Sequence, residues 1–105
     1  MKLLVISQYT QSSKNKEEIL KVLSKSGVYT ILSALNKKSM RFSQLMFKTR
    51  LNPGVLDRHL KSLIKLEIVE KNNSHYALTP KGEKILEALD QIFKLHSNFY
   101  KNFKQ

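Results

Sequence analysis

The 105-residue chain has no cysteine and no tryptophan, three glycines, two prolines, and eight acidic residues against 19 basic ones. Without cysteine there is no disulfide, no thiolate metal site and no thiol redox switch. The three glycines are isolated, so no glycine-rich loop is available to cradle a phosphate. No apolar run approaches the ~18 residues of a membrane span. The opening MKLLVIS is too short for a secretory leader and has no small-residue cleavage site, so an intracellular, cytoplasmic protein is expected. The few acids are scattered over helix starts and surfaces, which suits folding rather than proton transfer, and no enzyme is expected. His59, His75 and His96 fall on three different elements, so neither a metal site nor a cofactor is expected.

What is abundant is positive charge. The formal net charge is +11 and the isoelectric point is near 10.0. Such an excess on a small domain points to a polyanionic partner: DNA, RNA or an anionic membrane surface. One stretch organises the reading of the rest, Asn52 to Leu66 (NPGVLDRHLKSLIKL). Asn52 can cap the first free N–H groups, and Pro53 takes the first helical position, where its missing N–H costs nothing. Leu56, Leu60, Leu63 and Ile64 recur at helical spacing and predict one buried stripe. The opposite side carries Gly54, Val55, Arg58, Lys61, Ser62 and Lys65. It is small at its N-terminal end and basic further along, as a helix entering a DNA major groove needs.

In chain order, Met1–Ile6 reads equally as a strand, an arm on a partner subunit or a frayed end, and Gln8–Lys14 as a linker. Lys16–Ser24 predicts a helix with Glu17 and Glu18 in its first turn and Ile19, Leu20 and Leu23 on one face. After Ser26-Gly27, Val28–Leu35 predicts a second helix with Val28, Ile31, Leu32 and Leu35 inward. Met40-Arg41-Phe42 reads as a short strand. Ser43 is the expected cap of a short helix, Gln44–Lys48, presenting Leu45 and Met46 inward. Beyond Leu66 the period changes to alternation. Ile68–Lys71 and His75–Leu78 predict a hairpin around Asn72-Asn73-Ser74. Thr79-Pro80 starts a last helix running to about Phe103. Within it Ile85, Leu89, Ile92, His96, Phe99 and Phe103 form a heptad-like seam with Phe93 beside it, a stripe that predicts a second copy as partner.

The residues Arg41-Phe42-Ser43-Gln44-Leu45, Leu56 to Lys71 (LDRHLKSLIKLEIVEK) and Tyr76 to Gly82 (YALTPKG), in this order, resemble the winged helix-turn-helix regulators of the MarR, HxlR and PadR type. The resemblance covers roughly residues 27 to 100. It implies a mainly α fold with a small β-hairpin and a long C-terminal dimerisation helix, divided as an arm or linker (1–14), a DNA-binding body (15–79) and a dimerisation helix (80–105). It also implies a homodimeric transcriptional regulator, a repressor, on pseudo-palindromic double-stranded DNA at the nucleoid. Where such proteins commonly have a glycine ending the recognition helix, this chain has Glu67.

Arg58 is the candidate for base readout, because Arg can grip guanine O6 and N7 together. Asn52 and Ser62 are secondary candidates, and Asp57 is a possible partner for the guanidinium. Lys48, Arg50, Lys61 and Lys65 are candidate phosphate clamps, and Lys71, Asn73 and His75 candidates at the hairpin tip. His59, at the flank of the helix, reads as a satisfied border residue, and His96 as setting register in the seam. Three other readings stand beside a sequence-specific regulator. They are an architectural protein that binds DNA without reading it, a winged-helix module that binds protein, and an RNA binder, the last disfavoured by the lack of an aromatic platform flanked by basic residues.

Overall fold

The computed structural model describes the backbone of residues 14–104 and the side-chain surroundings of residues 14–100. Of the arm or linker expected over residues 1–14, residues 1–13 lie outside that range, as does the side chain of Phe103, while Lys14 is the first described residue of a helix. In order come α1 (residues 14–23), α2 (Val28–Lys37), β1 (Met40–Arg41), α3 (Phe42–Thr49), α4 (Pro53–Lys65), β2 (Val69–Asn72), β3 (His75–Leu78) and α5 (Pro80–Lys104). The sheet is antiparallel with strand order β1-β3-β2. The expected hairpin is present, and β1 extends it to three strands through Met40 opposite Tyr76 and Arg41 opposite His75.

The core is built on α2, whose Val28, Ile31, Leu32 and Leu35 are all buried and which packs against α3, β3 and α5. Leu45 of α3, Leu56, Leu60 and Leu63 of α4, Ile68, Val69, Tyr76 and Leu78 of the wing, and Leu86 of α5 close around it. Two expected stripe members are displaced. Ile64 is 36% exposed and Leu20 is 66% exposed. On α1 the inner face is Ile19, Val22 and Leu23, the three- and four-residue spacing that keeps side chains in register on one helix face.

Helix starts follow side-chain chemistry, in one case not the expected residue. Asn52 Oδ1 accepts the Gly54 N–H at 2.8 Å and caps α4, with Pro53 in its first turn. Ser43 does not cap α3: the helix begins earlier, at Phe42, and the Gln44 Oε1 reaches back to accept the Arg41 N–H at 2.9 Å. A glutamine three residues into a helix is placed for this contact, which is half of a capping box.

The end of α4 resolves the missing glycine. The Ile68 N–H donates to Leu63 O at 2.9 Å and the Glu67 N–H to Ile64 O at 2.9 Å. This is the Schellman arrangement, in which the residue after the cap turns left-handed. Glu67 adopts that backbone itself, at φ 61°. The helix therefore stops where a glycine would stop it, with the strain carried by an L-residue, which costs ~1 kcal/mol or more. Glu67→Gly is expected to raise stability by about 1 kcal/mol, read as a higher urea midpoint at unchanged slope.

The joint beyond this turn is dense. Thr79 Oγ1 donates to Glu67 O at 2.6 Å and accepts the Gly82 N–H at 2.9 Å, capping α5. The Thr79 N–H donates to Ile68 O at 3.1 Å, and Lys81 Nζ donates to Leu66 O at 2.8 Å. Three successive carbonyls after α4 are thus held by the cap and first turn of α5.

Candidate nucleic-acid interface

The α3–α4 pair with its short turn is a helix-turn-helix, and the hairpin beside it is the wing. Its outer surface carries the candidates in a continuous run. Lys48 lies at the end of α3, Arg50 in the turn with φ 59°, and Asn52, Gly54, Arg58, Lys61 and Lys65 along α4, all exposed. Val55 and Ser62, read as lying on the outer side, are only half-exposed and form its edges. Gly54 is not required by packing, since a Cβ there would meet only Asn52 Oδ1, at 3.3 Å. A small residue near the start of the helix leaves room for close approach by a partner's surface.

The charged residues of α4 divide by what they already hold. Asp57 does not pair with the neighbouring Arg58. It pairs with Lys61 one turn on, at 2.9 Å, because residues four apart share a helix face and adjacent ones do not. The Asp57 carboxylate, by hydrogen bond and charge, pushes the Lys61 ammonium above its ordinary pKa, so Lys61 stays cationic at any physiological pH. Lys65 lies 3.9 Å from Glu18 of α1. Among the described residues Arg58 has no ion pair or side-chain hydrogen bond, and its guanidinium is open to an external partner.

His59 is half-buried, and its Nε2 lies 2.9 Å from the Ser26 carbonyl oxygen. A carbonyl only accepts, so the imidazole donates from Nε2. This contact holds the middle of α4 to the α1–α2 turn. In the same turn Gly27, at φ 93°, packs against Leu51 so closely that a Cβ would lie 2.8 Å from the leucine methyl. The α1–α2 turn therefore braces the recognition helix at two points, through Leu51 just before it and through His59.

At the wing, Lys71 and Asn73 are exposed and His75 is half-exposed. Asn73 takes the left-handed backbone, φ 57°, at the first of two turn residues, since Asn72 pairs directly with His75. The tip is thus as short as a hairpin allows, and Lys71 Nζ sits 5.3 Å from the Tyr76 ring centroid, stacked on its own wing.

The C-terminal helix divides. Leu86 is buried, and Ile85 and Leu89, expected in the seam, pack partly buried against the chain's own core. Tyr29 of α2 donates its hydroxyl to Asp90 Oδ1 at 2.5 Å and meets the Phe93 ring edge-on at 4.9 Å. The Asp90 hydrogen bond pushes the Tyr29 hydroxyl above its ordinary pKa. Beyond this brace Ile92, Leu95, Phe99 and Tyr100 are more than half exposed, Phe93 is 46% exposed, and His96 is exposed too. Leu95 was not part of the expected seam. It lies three residues from Ile92 and four from Phe99, so it extends the same stripe. Two further residues escaped the sequence reading, Glu18 as the partner of Lys65 and Phe47 as an exposed ring on α3. The angle of Phe47 from Leu45, two residues on in a helix, was the available signal.

A helix-turn-helix with a wing and a basic outer ridge defines the class. The family model described as winged helix-turn-helix matches residues 24–97. An uncharacterised HTH-type transcriptional regulator from Methanocaldococcus jannaschii is 39% identical over 83 residues, covering 70% of this chain and 78% of its own length. The quinone-bound YodB of B. subtilis is 27% identical, with a TM-score of 0.71 over 81% of this chain and 97% of that one. A homodimeric winged helix-turn-helix DNA-binding domain from Mycobacterium bovis, a possible ArsR-family regulator, shares the fold at 14% identity, with a TM-score of 0.73 over 90% of each chain. The chain belongs to the winged helix-turn-helix family of transcriptional regulators.

Proposed function

We propose that this regulator is a homodimer, joined through the exposed stripe of α5 past Asp90, that lays two α4 helices into successive major grooves of a pseudo-palindromic site in the cytoplasm and represses by occupying it. The observation that carries the reading is Arg58, exposed and without a partner among the described residues, on the outer ridge of a helix that is capped at its start, turned at its end and braced from behind. Lys48, Arg50, Lys61, Lys65 and the wing residues Lys71, Asn73 and His75 are its phosphate contacts, while Asn52 is held as the cap. The reading is of a binding protein without catalysis. The wing tip is too short for more than backbone contact, which leaves base readout to α4. The stripe of Ile92, Phe93, Leu95, Phe99 and Tyr100 supports pairing, because apolar side chains this exposed are stabilised by covering one another. The M. bovis domain that shares the fold is homodimeric, which supports pairing as such.

The test is Arg58→Ala on a duplex selected from a random-sequence pool. Affinity for that duplex should fall by ~1–3 kcal/mol, with relaxed preference at one base position. Equal losses on selected and random duplexes would make Arg58 a phosphate contact and the protein a non-specific binder. For the dimer, Ile92→Asp should sediment as a folded monomer, since Ile92 is 57% exposed in one copy and its loss leaves the core intact. Unchanged sedimentation would refute pairing through α5.

A further inference from the structure

Phe47 is 85% exposed, more than any other large apolar side chain described, and it sits in the ordered middle of α3 rather than at a chain end. It forms one wall of an open depression of about 350 Å³ whose other lining residues are Lys38, Met40, Ser43, Gln44 and Lys48. The floor is apolar, since Met40 is buried beneath it. Both lysines are exposed, and neither has an ion pair among the described residues. From Ile19 to Leu56 the sequence contains no acidic residue at all, whereas Lys21, Lys25, Lys37, Lys38, Arg41, Lys48 and Arg50 all fall within it. The depression therefore combines an unfilled apolar wall with a rim of two lysines that hold no ion pair among the described residues.

We infer that this face of α3 is a docking site for an acidic segment of another protein carrying a leucine or phenylalanine that packs on Phe47 over Met40 while its carboxylates meet Lys38 and Lys48. Charge complementarity selects an acidic partner, and the ring selects protein over nucleic acid. A phosphate backbone is satisfied by donors and gains nothing from a phenyl group, whereas an apolar side chain covered on both sides leaves water. An apolar anchor ringed by charge is the usual make-up of a strong local contact between proteins. The inference does not depend on the dimer or on base readout, since it uses the outer face of α3 and neither Arg58 nor α5; it shares only Lys48 with the proposed phosphate contacts, so a bound acidic segment would take that one ammonium from the duplex.

The test uses the full chain and a labelled short peptide in which Asp and Glu accompany Leu and Phe at helical spacing. A control peptide has the same charge with Leu and Phe replaced by Ser. At ~150 mM salt, where long-range attraction is screened, the first peptide should bind saturably and the control at least about ten-fold more weakly. Phe47→Ser and Lys38→Glu should each weaken peptide binding at least about ten-fold, while Phe47→Ser changes affinity for a random DNA duplex less than about two-fold. Amide shifts on peptide addition should centre on residues 38–48. The inference is overturned if the peptide does not bind, if the control binds equally, or if Phe47→Ser leaves peptide binding intact. It is also overturned if Phe47→Ser weakens duplex binding as much as peptide binding, which would place the ring on the nucleic-acid face. A change in sedimentation of the Phe47→Ser chain would instead assign the ring to a contact between copies.

Discussion

Raising salt from 50 to 200 mM is expected to weaken duplex binding by ~10³–10⁵-fold, as for a protein that neutralises about six to ten phosphates. In the proposed dimer each copy offers Lys48, Arg50, Lys61, Lys65 and Lys71 for this purpose, so two copies would reach the upper part of that range. The prior engagements of Lys61 with Asp57 and Lys65 with Glu18 lower it only slightly. All four side chains are well exposed, and ion pairs in such settings exchange readily with solvent and with a stronger anion. The measurement is the slope of log affinity against log salt. Asp57→Ala should leave that slope unchanged, because it frees Lys61 without adding a cation. A slope near zero would remove DNA as the partner of the ridge, whatever the fold.

The second large effect is on stability. Gly82→Ala should destabilise the fold by at least ~3 kcal/mol, because a Cβ on residue 82 would lie 2.1 Å from the Ile68 carbonyl oxygen. That oxygen is backbone, and it is held in place by the Thr79 N–H, so it has nowhere to go. Relief requires the start of α5 to back away from the turn after α4, which breaks the Thr79 and Lys81 bonds as well. For a domain of this size the loss corresponds to a fall of roughly 12–24 °C in Tm. Gly54→Ala is the contrasting case. Its Cβ meets only a side-chain oxygen, and alanine is favoured in a helix, so stability should hold or rise slightly. A thermal melt of both variants decides the matter. Similar melting for Gly82→Ala and the parent chain would mean the joint is looser than its geometry.

The elements that could be read from the chain were those with a local chemical signature. Asn52-Pro53 and Thr79-Pro80 are start signals that depend only on neighbours, and both helices begin where those residues dictate. The alternation after Leu66 and the left-handed tolerance of Asn73 likewise fixed the wing. What escaped was settled by partners distant in sequence or by angle. Leu20 and Ile64 lie at the margin of their stripes, where a helical wheel cannot tell which edge the core will cover. Ser43 lost the cap of α3 to the reach of Gln44. Ile85 and Leu89 have the spacing of a pairing seam, yet the body lies against them first. The link between His59 and Ser26 spans 33 residues and left no periodic trace. For the candidate interface, the outward placement of most ridge residues was legible from the helical pattern. The availability of each cation was not, because it turns on who else is near, as Asp57 shows by choosing Lys61 over Arg58.

The buckle between residues 66–68 and 79–82 has a mechanical implication. With those carbonyls pinned, α4 and the root of α5 are tied into one rigid arm, and the Tyr29 brace extends that arm as far as Phe93. In the proposed dimer, the distance and twist between two such arms would be governed by how their tips cross, so a small change at the tips would be magnified into a large displacement of the two α4 helices.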